Sequence, residues 1–162
     1  MPSTWRLFTM EFHEKIHAFL VAQYYSLLTE RFQKQGEQTF IHATRYYGEQ
    51  RGRRMAQRAI RDCQPLTYET YCYYGEWSST EAVKQLGEDN RGHVESFEPD
   101  LVRIYTQCPW HAQFLQMGAQ QAGRVYCRYL DASICRGFNP ELSFTVERSL
   151  NDGGPCVHRI SN

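Results

Sequence analysis

Cys108 stands three residues before His111, at a point where an extended run hands over to a helical one. A thiol at a helix N-terminus faces free N–H groups and the positive end of the helix dipole, which favour the reactive thiolate. Cys108 with His111 nearby is therefore a candidate nucleophile with a base in reach. Cys127 and Asp131 lie four residues apart in a second helical run, so both side chains project from one face. A carboxylate beside a thiol can act as general base or orient a water. Cys156 and His158 alternate in an extended segment and share one side of a strand. Ordinary packing is the alternative for each of these residues. Cys63, Cys72 and Cys135 have no acid or base around them and read as packing residues.

Two metal arrangements are compatible with these residue types. Cys108, His111, Cys127 and Cys156 supply four soft or borderline donors, so zinc or another divalent cation on Cys108, Cys127 and Cys156 is the candidate cofactor. No C-x-x-C pair is present, and spacing alone cannot show convergence. His13-Glu14-Lys15-Ile16-His17 matches H-E-x-x-H, which on a helix places two imidazoles on one face. Only twelve residues precede it, no third ligand follows at a known spacing, and both His flank the apolar positions Ile16 and Leu20. Amphipathic packing explains them better. The chain has no G-x-S-x-G, no Walker loop and no G-x-G-x-x-G.

The elements that must position these groups follow from periodicity. Phe12, Ile16, Phe19, Leu20, Tyr24, Leu27 and Leu28 recur at helical steps over residues 11–34, and Gly36 is expected to stop that helix. A second helix is expected over residues 39–63, with Phe40, Thr44, Tyr47, Met55 and Ala59 as its inner stripe. Gly48 and Gly52 inside it would let another backbone come close. Gln64-Pro65 ends it, and Thr67 can cap a short helix reaching Tyr74. Residues 76–92 read as a polar loop with a helical turn. Residues 93–97 and 101–106 form a hairpin pattern around Glu98-Pro99-Asp100. Helices are expected over residues 110–117 and 120–135, the latter stopping at Gly137. Alternation at Leu142, Phe144 and Val146, the turn signal Asn151-Asp152-Gly153-Gly154, and a return over residues 156–160 complete the chain. This order predicts one α+β domain: an antiparallel sheet of about four strands packed against several helices.

Composition bounds the function classes. The 162 residues are 41% hydrophobic and 22% charged, a globular balance. Lys+Arg and Asp+Glu are equal at 18 each, which argues against a nucleic-acid binder. Arg51, Arg53, Arg54, Arg58 and Arg61 form a local basic cluster, with Arg54, Arg58 and Arg61 on one helix face. No apolar run approaches the ~20 residues that span a bilayer, so no membrane partner is expected. The opening residues lack the apolar stretch of a signal peptide, so we expect a cytoplasmic protein whose six cysteines are reduced. Eleven tyrosines are consistent with a polar-lined cavity or a homodimer interface.

Several blocks also resemble a known family. Tyr47-Gly48-Glu49-Gln50-Arg51-Gly52-Arg53-Arg54-Met55-Ala56 and the stretch from Leu66 to Trp77 are similar to the N-terminal half of the L-2-amino-thiazoline-4-carboxylic acid hydrolase family. Cys108-Pro109-Trp110 resembles its Cys-Pro element, and Tyr126-Cys127 with Asp131 resembles its Tyr-Cys and acidic pair. Gly137-Phe138-Asn139-Pro140-Glu141-Leu142, then Gly153-Gly154-Pro155-Cys156, resemble its terminal block. The resemblance spans about residues 40–160 and departs at Val157 and His158 after the last Cys.

The resemblance implies ring opening of a cyclic isothiourea, with a small molecule as substrate. The matched Cys108, Cys127, Asp131 and Cys156, with His111 beside them, become the candidate catalytic residues. Asp131 is then the base, and Cys108 or Cys127 the nucleophile or a metal ligand. Tyr126 is a candidate substrate-binding residue, and an arginine of the Arg51–Arg61 helix, with Arg54 and Arg58 as the named candidates, would clamp the substrate carboxylate. Two rival readings stand beside this one: a ligand- or zinc-sensing domain of the vinyl-reductase-like type, and a minimal H-E-x-x-H metallopeptidase.

Overall fold

The computed structural model describes residues 4–75, 92–96 and 98–161; the side chains of residues 4–15, 92–94 and 109 lie outside this description. The polar stretch expected to be a loop with a helical turn falls almost wholly outside it.

The chain begins with α1 (Thr4–Arg61), two helical arms joined at Gln33, whose φ of 49° and ψ of −126° break the helix. The arms fold back on each other. Tyr25 Oη donates to Glu37 at 2.9 Å, and its ring meets Phe40 edge-on. The chain therefore reverses three residues before the expected stop. Gly36 serves a different purpose: a Cβ there would lie 2.0 Å from the Leu28 carbonyl oxygen, so glycine is what lets the arms touch.

The backbone at Gln33 matches the first central position of a type II′ turn, a conformation that strains any residue with a Cβ. We expect Gln33→Gly to raise stability by about 1 kcal/mol, because relief of strain exceeds the added chain entropy. A urea midpoint at or below the parent value would contradict this.

The outgoing arm is helical as expected, but the opposite face is buried. Ala18, Val21, Ala22 and Tyr25 face the core, whereas Ile16, Phe19, Leu20, Tyr24 and Leu27 face outward. Small side chains at 18 and 22 permit a close approach to neighbouring elements that the large ones would prevent. On the returning arm Phe40, Thr44, Met55 and Ala59 are buried as the stripe predicts, whereas Tyr47, expected with them, is exposed. That arm ends with Cys63 at φ 55°, the left-handed position that closes a helix. Cys63 is exposed there and is not the packing residue expected of it.

Next comes α2 (Tyr68–Tyr74), capped by Thr67 as expected. Strands β1 (Gly92–Ser96) and β2 (Leu101–Tyr105) form the predicted hairpin. Then follow α3 (Pro109–Gln116) and α4 (Gln120–Phe138). Strands β3 (Ser143–Arg148) and β4 (Cys156–Ser161) close the chain around a 3₁₀ turn, Leu150–Asp152, with Gly153 at φ 86°.

The sheet has the order β1-β2-β4-β3 with every pairing antiparallel. Leu101 pairs with Ile160, Arg103 with His158 and Tyr105 with Cys156. Directly paired residues project to the same side. This side meets the helices, because Leu101 and Ile160 join the core cluster with Met55, Phe114, Ile134, Cys135 and Phe138. The fold is thus α+β, with the sheet packed on the helices as predicted. The returning arm of α1 crosses α4 at backbone contact: Gly48 and Gly52 abut Ser133 and Ile134, and Gly137 abuts Glu49. Gly137 is therefore a contact residue within α4, which continues to Phe138.

Candidate functional site

Between the sheet and α4 the packing turns polar. Three turns of α4 present Cys127, Asp131 and Cys135 at steps of four, a single stripe. Opposite them stand Cys156, His158, Arg103 and Tyr105 of β4 and β2, set on one face by the register described above. Cys108 caps α3 with an extended backbone, φ −144° and ψ 120°. The 3₁₀ turn brings in Asn151, a buried side chain whose Oδ1 lies 3.0 Å from His111 Nδ1. The backbone amide of Leu150 donates to Cys156 Sγ at 3.2 Å.

Electrostatic coupling shows how closely these groups sit. Burial pushes the Cys127 thiol well up, and Asp131, Cys108 and Cys156 push it further, while the Asn151 side chain pulls it down. Burial likewise raises the Asp131 carboxyl, against the pull of His158 and Arg51. His158 is lowered by burial and by Arg103, with Asp131 opposing. Cys108, Cys127, Cys156, Asp131 and His158 therefore share one desolvated region. The N-cap of α3, the middle of α4 and strand β4 build it.

The thiols depart from expectation in one respect. At Cys108 the helix-start amides of Trp110 and His111 do favour the thiolate. Burial, with Cys156 and Asp131 adding to it, outweighs them, so the pKa rises instead of falling. Cys156 is raised by burial as well, and Cys135 is pushed up to about 12. All six cysteines are free thiols.

These shifts have a consequence for stability. A thiol held above its unfolded value keeps its proton longer in the folded state. Its contribution is complete below the unfolded thiol range, about 8.5, and disappears as pH rises through the folded values. Burial raises Tyr71 and Tyr126 in the same direction. We expect the urea midpoint to fall between about pH 8 and about pH 10. A midpoint that is flat across that window would mean the thiols are not desolvated.

Cations and aromatic rings close the other side. Arg51, on the returning arm, is buried, lies over the Tyr47 ring at 5.5 Å, and acts electrostatically on Asp131, His17 and Tyr126. Tyr126 stacks on Trp110 with centroids 5.6 Å apart, and its hydroxyl is 2.9 Å from His17 Nε2. The His17 ring meets Trp110 edge-on at 4.5 Å. Burial lowers the His17 pKa, and Arg51 adds to this. The side chains of His13 and Glu14 lie outside the described residues, so of the H-E-x-x-H motif only His17 can be placed, and it pairs with Tyr126. On the sheet side, Arg103 reaches Cys72 Sγ at 3.9 Å, and Tyr105 and Phe144 each lie 5.2 Å from the His158 ring.

Among the predicted site residues, the structure brings together Cys108, Cys127, Asp131 and Cys156, with Tyr126 on the aromatic side. His111 is joined to them through Asn151. Arg54 and Arg58 line a separate open hollow of about 400 Å³ with Gln57 and Arg61. Arg58 there donates to the Tyr74 carbonyl at 2.8 Å. From this arm the arginine that acts on the polar region is Arg51. Among the described residues no group of three or more His, Cys, Asp or Glu side chains is arranged to hold a metal ion. Cys108, Cys127 and Cys156 are near one another without forming such a ligand set. No helix among the described residues is long and apolar enough to cross a membrane.

Sequence reasoning missed Asn151 and Arg103, took Arg51 only as one of several arginines on its helix, and used His158 only as a neighbour of Cys156. A signal existed for Arg51. The predicted inner stripe steps from Tyr47 to Met55 across a gap of eight, and residue 51 fills it. Asn151 read only as turn chemistry.

No curated protein and no solved structure matches the chain. A family model described as L-2-amino-thiazoline-4-carboxylic acid hydrolase matches residues 13–159, reaching well before residue 40 to take in the outgoing arm. With nearly the whole chain matched, including every element that contributes to the polar region, the protein belongs to the L-2-amino-thiazoline-4-carboxylic acid hydrolase family.

Proposed function

We propose that the protein hydrolyses a non-peptide C–N or C–S bond in a small cyclic amidine or isothiourea that carries a carboxylate, such as a 2-amino-thiazoline carboxylate. The observation that supports this most directly is the clustering of Asp131 and His158, which act on each other electrostatically, with the buried guanidinium of Arg51 acting on Asp131.

In this reading water adds to the ring carbon between nitrogen and sulfur. The C–S bond breaks and its electrons go to sulfur. One proton of the water ends on sulfur and the other on the ring nitrogen, giving an N-carbamoyl cysteine. Burial keeps His158 neutral, so its imidazole can accept the proton of the attacking water. Asp131 then stabilises the imidazolium. Arg51 holds the substrate carboxylate, and Tyr126 with Trp110 flanks the ring. The raised thiols of Cys108, Cys127 and Cys156 stay protonated at neutral pH and line the hollow as soft, polarisable contacts for the substrate sulfur.

The direct test is to incubate the protein with L-2-amino-thiazoline-4-carboxylate and follow the appearance of free thiol and of N-carbamoyl cysteine by mass spectrometry. Catalytic release of both is expected, and absence of both at stoichiometric protein would sink the reading. Arg51→Lys keeps the charge but loses the fork, so we expect KM to rise roughly tenfold or more with a smaller change in kcat. An unchanged KM would remove Arg51 from carboxylate binding.

A further inference from the structure

The ring opening proposed above moves two protons. His158 takes the first from the attacking water and passes it to the ring nitrogen. The second leaves the hydroxyl of the tetrahedral adduct as the C–S electrons go to sulfur, and it ends on sulfur. That transfer needs a second acceptor, an atom with an available lone pair.

One side chain prepares His111 for such a role. His111 is half-buried on the first turn of α3, three residues after Cys108. Its Nδ1 lies 3.0 Å from Oδ1 of the buried Asn151. The orientation of that amide follows from its other end. Asn151 Nδ2 donates to Ser149 Oγ at 3.4 Å. The same side chain hydrogen-bonds the Cys127 sulfur and favours its thiolate, which only an N–H can do. The carbonyl end therefore faces His111 and can only accept. His111 Nδ1 carries the proton, and the lone pair of the neutral ring is on Nε2. Nε2 has no hydrogen-bond partner among the described residues.

The turn that carries Asn151 is held from several sides. Its backbone amide donates to Ser149 Oγ at 3.1 Å, and Arg124 Nε donates to its carbonyl at 2.9 Å. Gly123 of α4 backs the side chain so closely that a Cβ there would lie 3.1 Å from Oδ1. These contacts leave the amide little room to swing away from the imidazole.

We infer that Asn151 is a positioning residue for the proposed reaction: it holds His111 as the Nδ1–H tautomer, which leaves Nε2 to accept the second proton and deliver it to the departing sulfur. This rests on the ring-opening reading.

Two measurements on the full chain test it. Proton–nitrogen NMR of protein carrying isotope-labelled histidine reads the tautomer, with the His111 signal identified by its loss in His111→Gln. A protonated Nδ1 is expected in wild type, and a mixture of tautomers in Asn151→Leu, whose side chain has a similar shape and cannot accept. In turnover of L-2-amino-thiazoline-4-carboxylate, Asn151→Leu should lower kcat about 100-fold or more with KM nearly unchanged, as a mis-set imidazole tautomer does. Asn151→Asp keeps an acceptor for Nδ1–H, so tautomer and most of the turnover should be kept. Arg124→Ala loosens the same turn from outside and should lower the thermal midpoint while tautomer and kcat hold. A wild-type chain that does not open the ring sinks the reading itself, and with it the role given to His111. With turnover present, a His111 protonated on Nε2 overturns the inference alone. So does an Asn151→Leu variant as active as wild type, or an Asn151→Asp variant that loses turnover with its tautomer intact. An Arg124→Ala variant that loses kcat as Asn151→Leu does would reduce Asn151 to a structural part of the turn.

Discussion

Replacing Asp131 by Asn is expected to lower kcat for ring opening by about 100- to 10,000-fold, because the imidazolium formed on His158 loses the carboxylate that stabilises it and the positioned proton acceptor is disabled. The side chain keeps its shape and loses its charge. In the folded protein burial disfavours the Asp131 carboxylate, and only His158 and Arg51 offset this. Removing the charge therefore relieves a desolvation cost, and stability at neutral pH should be unchanged or slightly higher. Activity falling while the thermal midpoint holds is the signature of a group retained for chemistry. A parallel fall in both would assign Asp131 a structural role.

The same assay separates two routes. If water attacks the ring directly, Cys108→Ala and Cys127→Ala retain far more activity than Asp131→Asn, because thiols held in their neutral form are not the nucleophile. If either cysteine variant is as dead as Asp131→Asn, the reaction runs through a covalent thiol adduct, and the proton acceptor serves that thiol instead of water.

Gly52→Ala is expected to destabilise the fold by about 3 kcal/mol or more, at the upper end of what an inserted methyl costs in a packed interior. A Cβ at residue 52 would lie 2.0 Å from the Ile134 carbonyl oxygen and 2.5 Å from the Phe138 amide. These are backbone atoms of α4 and cannot swing aside. The neighbouring contacts close off a shift of the whole arm, since Gly48 already abuts Ser133 and Gly137 already abuts Glu49. Against a total stability of ~5–15 kcal/mol, such a change would leave a visibly unfolded population at 37 °C. Activity should fall with the folded fraction, because this crossing sets the position of Arg51 over α4. A Gly52→Ala protein with a parental urea midpoint would mean that the helices do not meet at backbone contact.

The prediction at Gly52 was legible in sequence for a physical reason: glycine inside a helix is costly, so two of them four residues apart imply a close approach. Periodicity likewise gave the helical runs, the two hairpins and the cap at Thr67, all of which depend on neighbours within a few residues. The family blocks single out Cys108, Cys127, Asp131 and Cys156 by residue type and order alone.

What the local pattern could not give was which face of a helix finds a partner. In the outgoing arm both faces are apolar, one small and one large. Only the fold-back at Gln33 and the packing against neighbouring elements select Ala18 and Ala22 for the interior and leave Leu20 outside. Ionisation was equally out of reach of sequence alone. A helix start favours a thiolate, but whether that dipole or desolvation dominates depends on what covers the site, and at Cys108 burial does. The amino-acid sequence determined the elements and the chemical types available. Tertiary structure decided which of them share one water-poor space, because desolvation and coupling between charges arise only when segments distant in the chain are brought into contact.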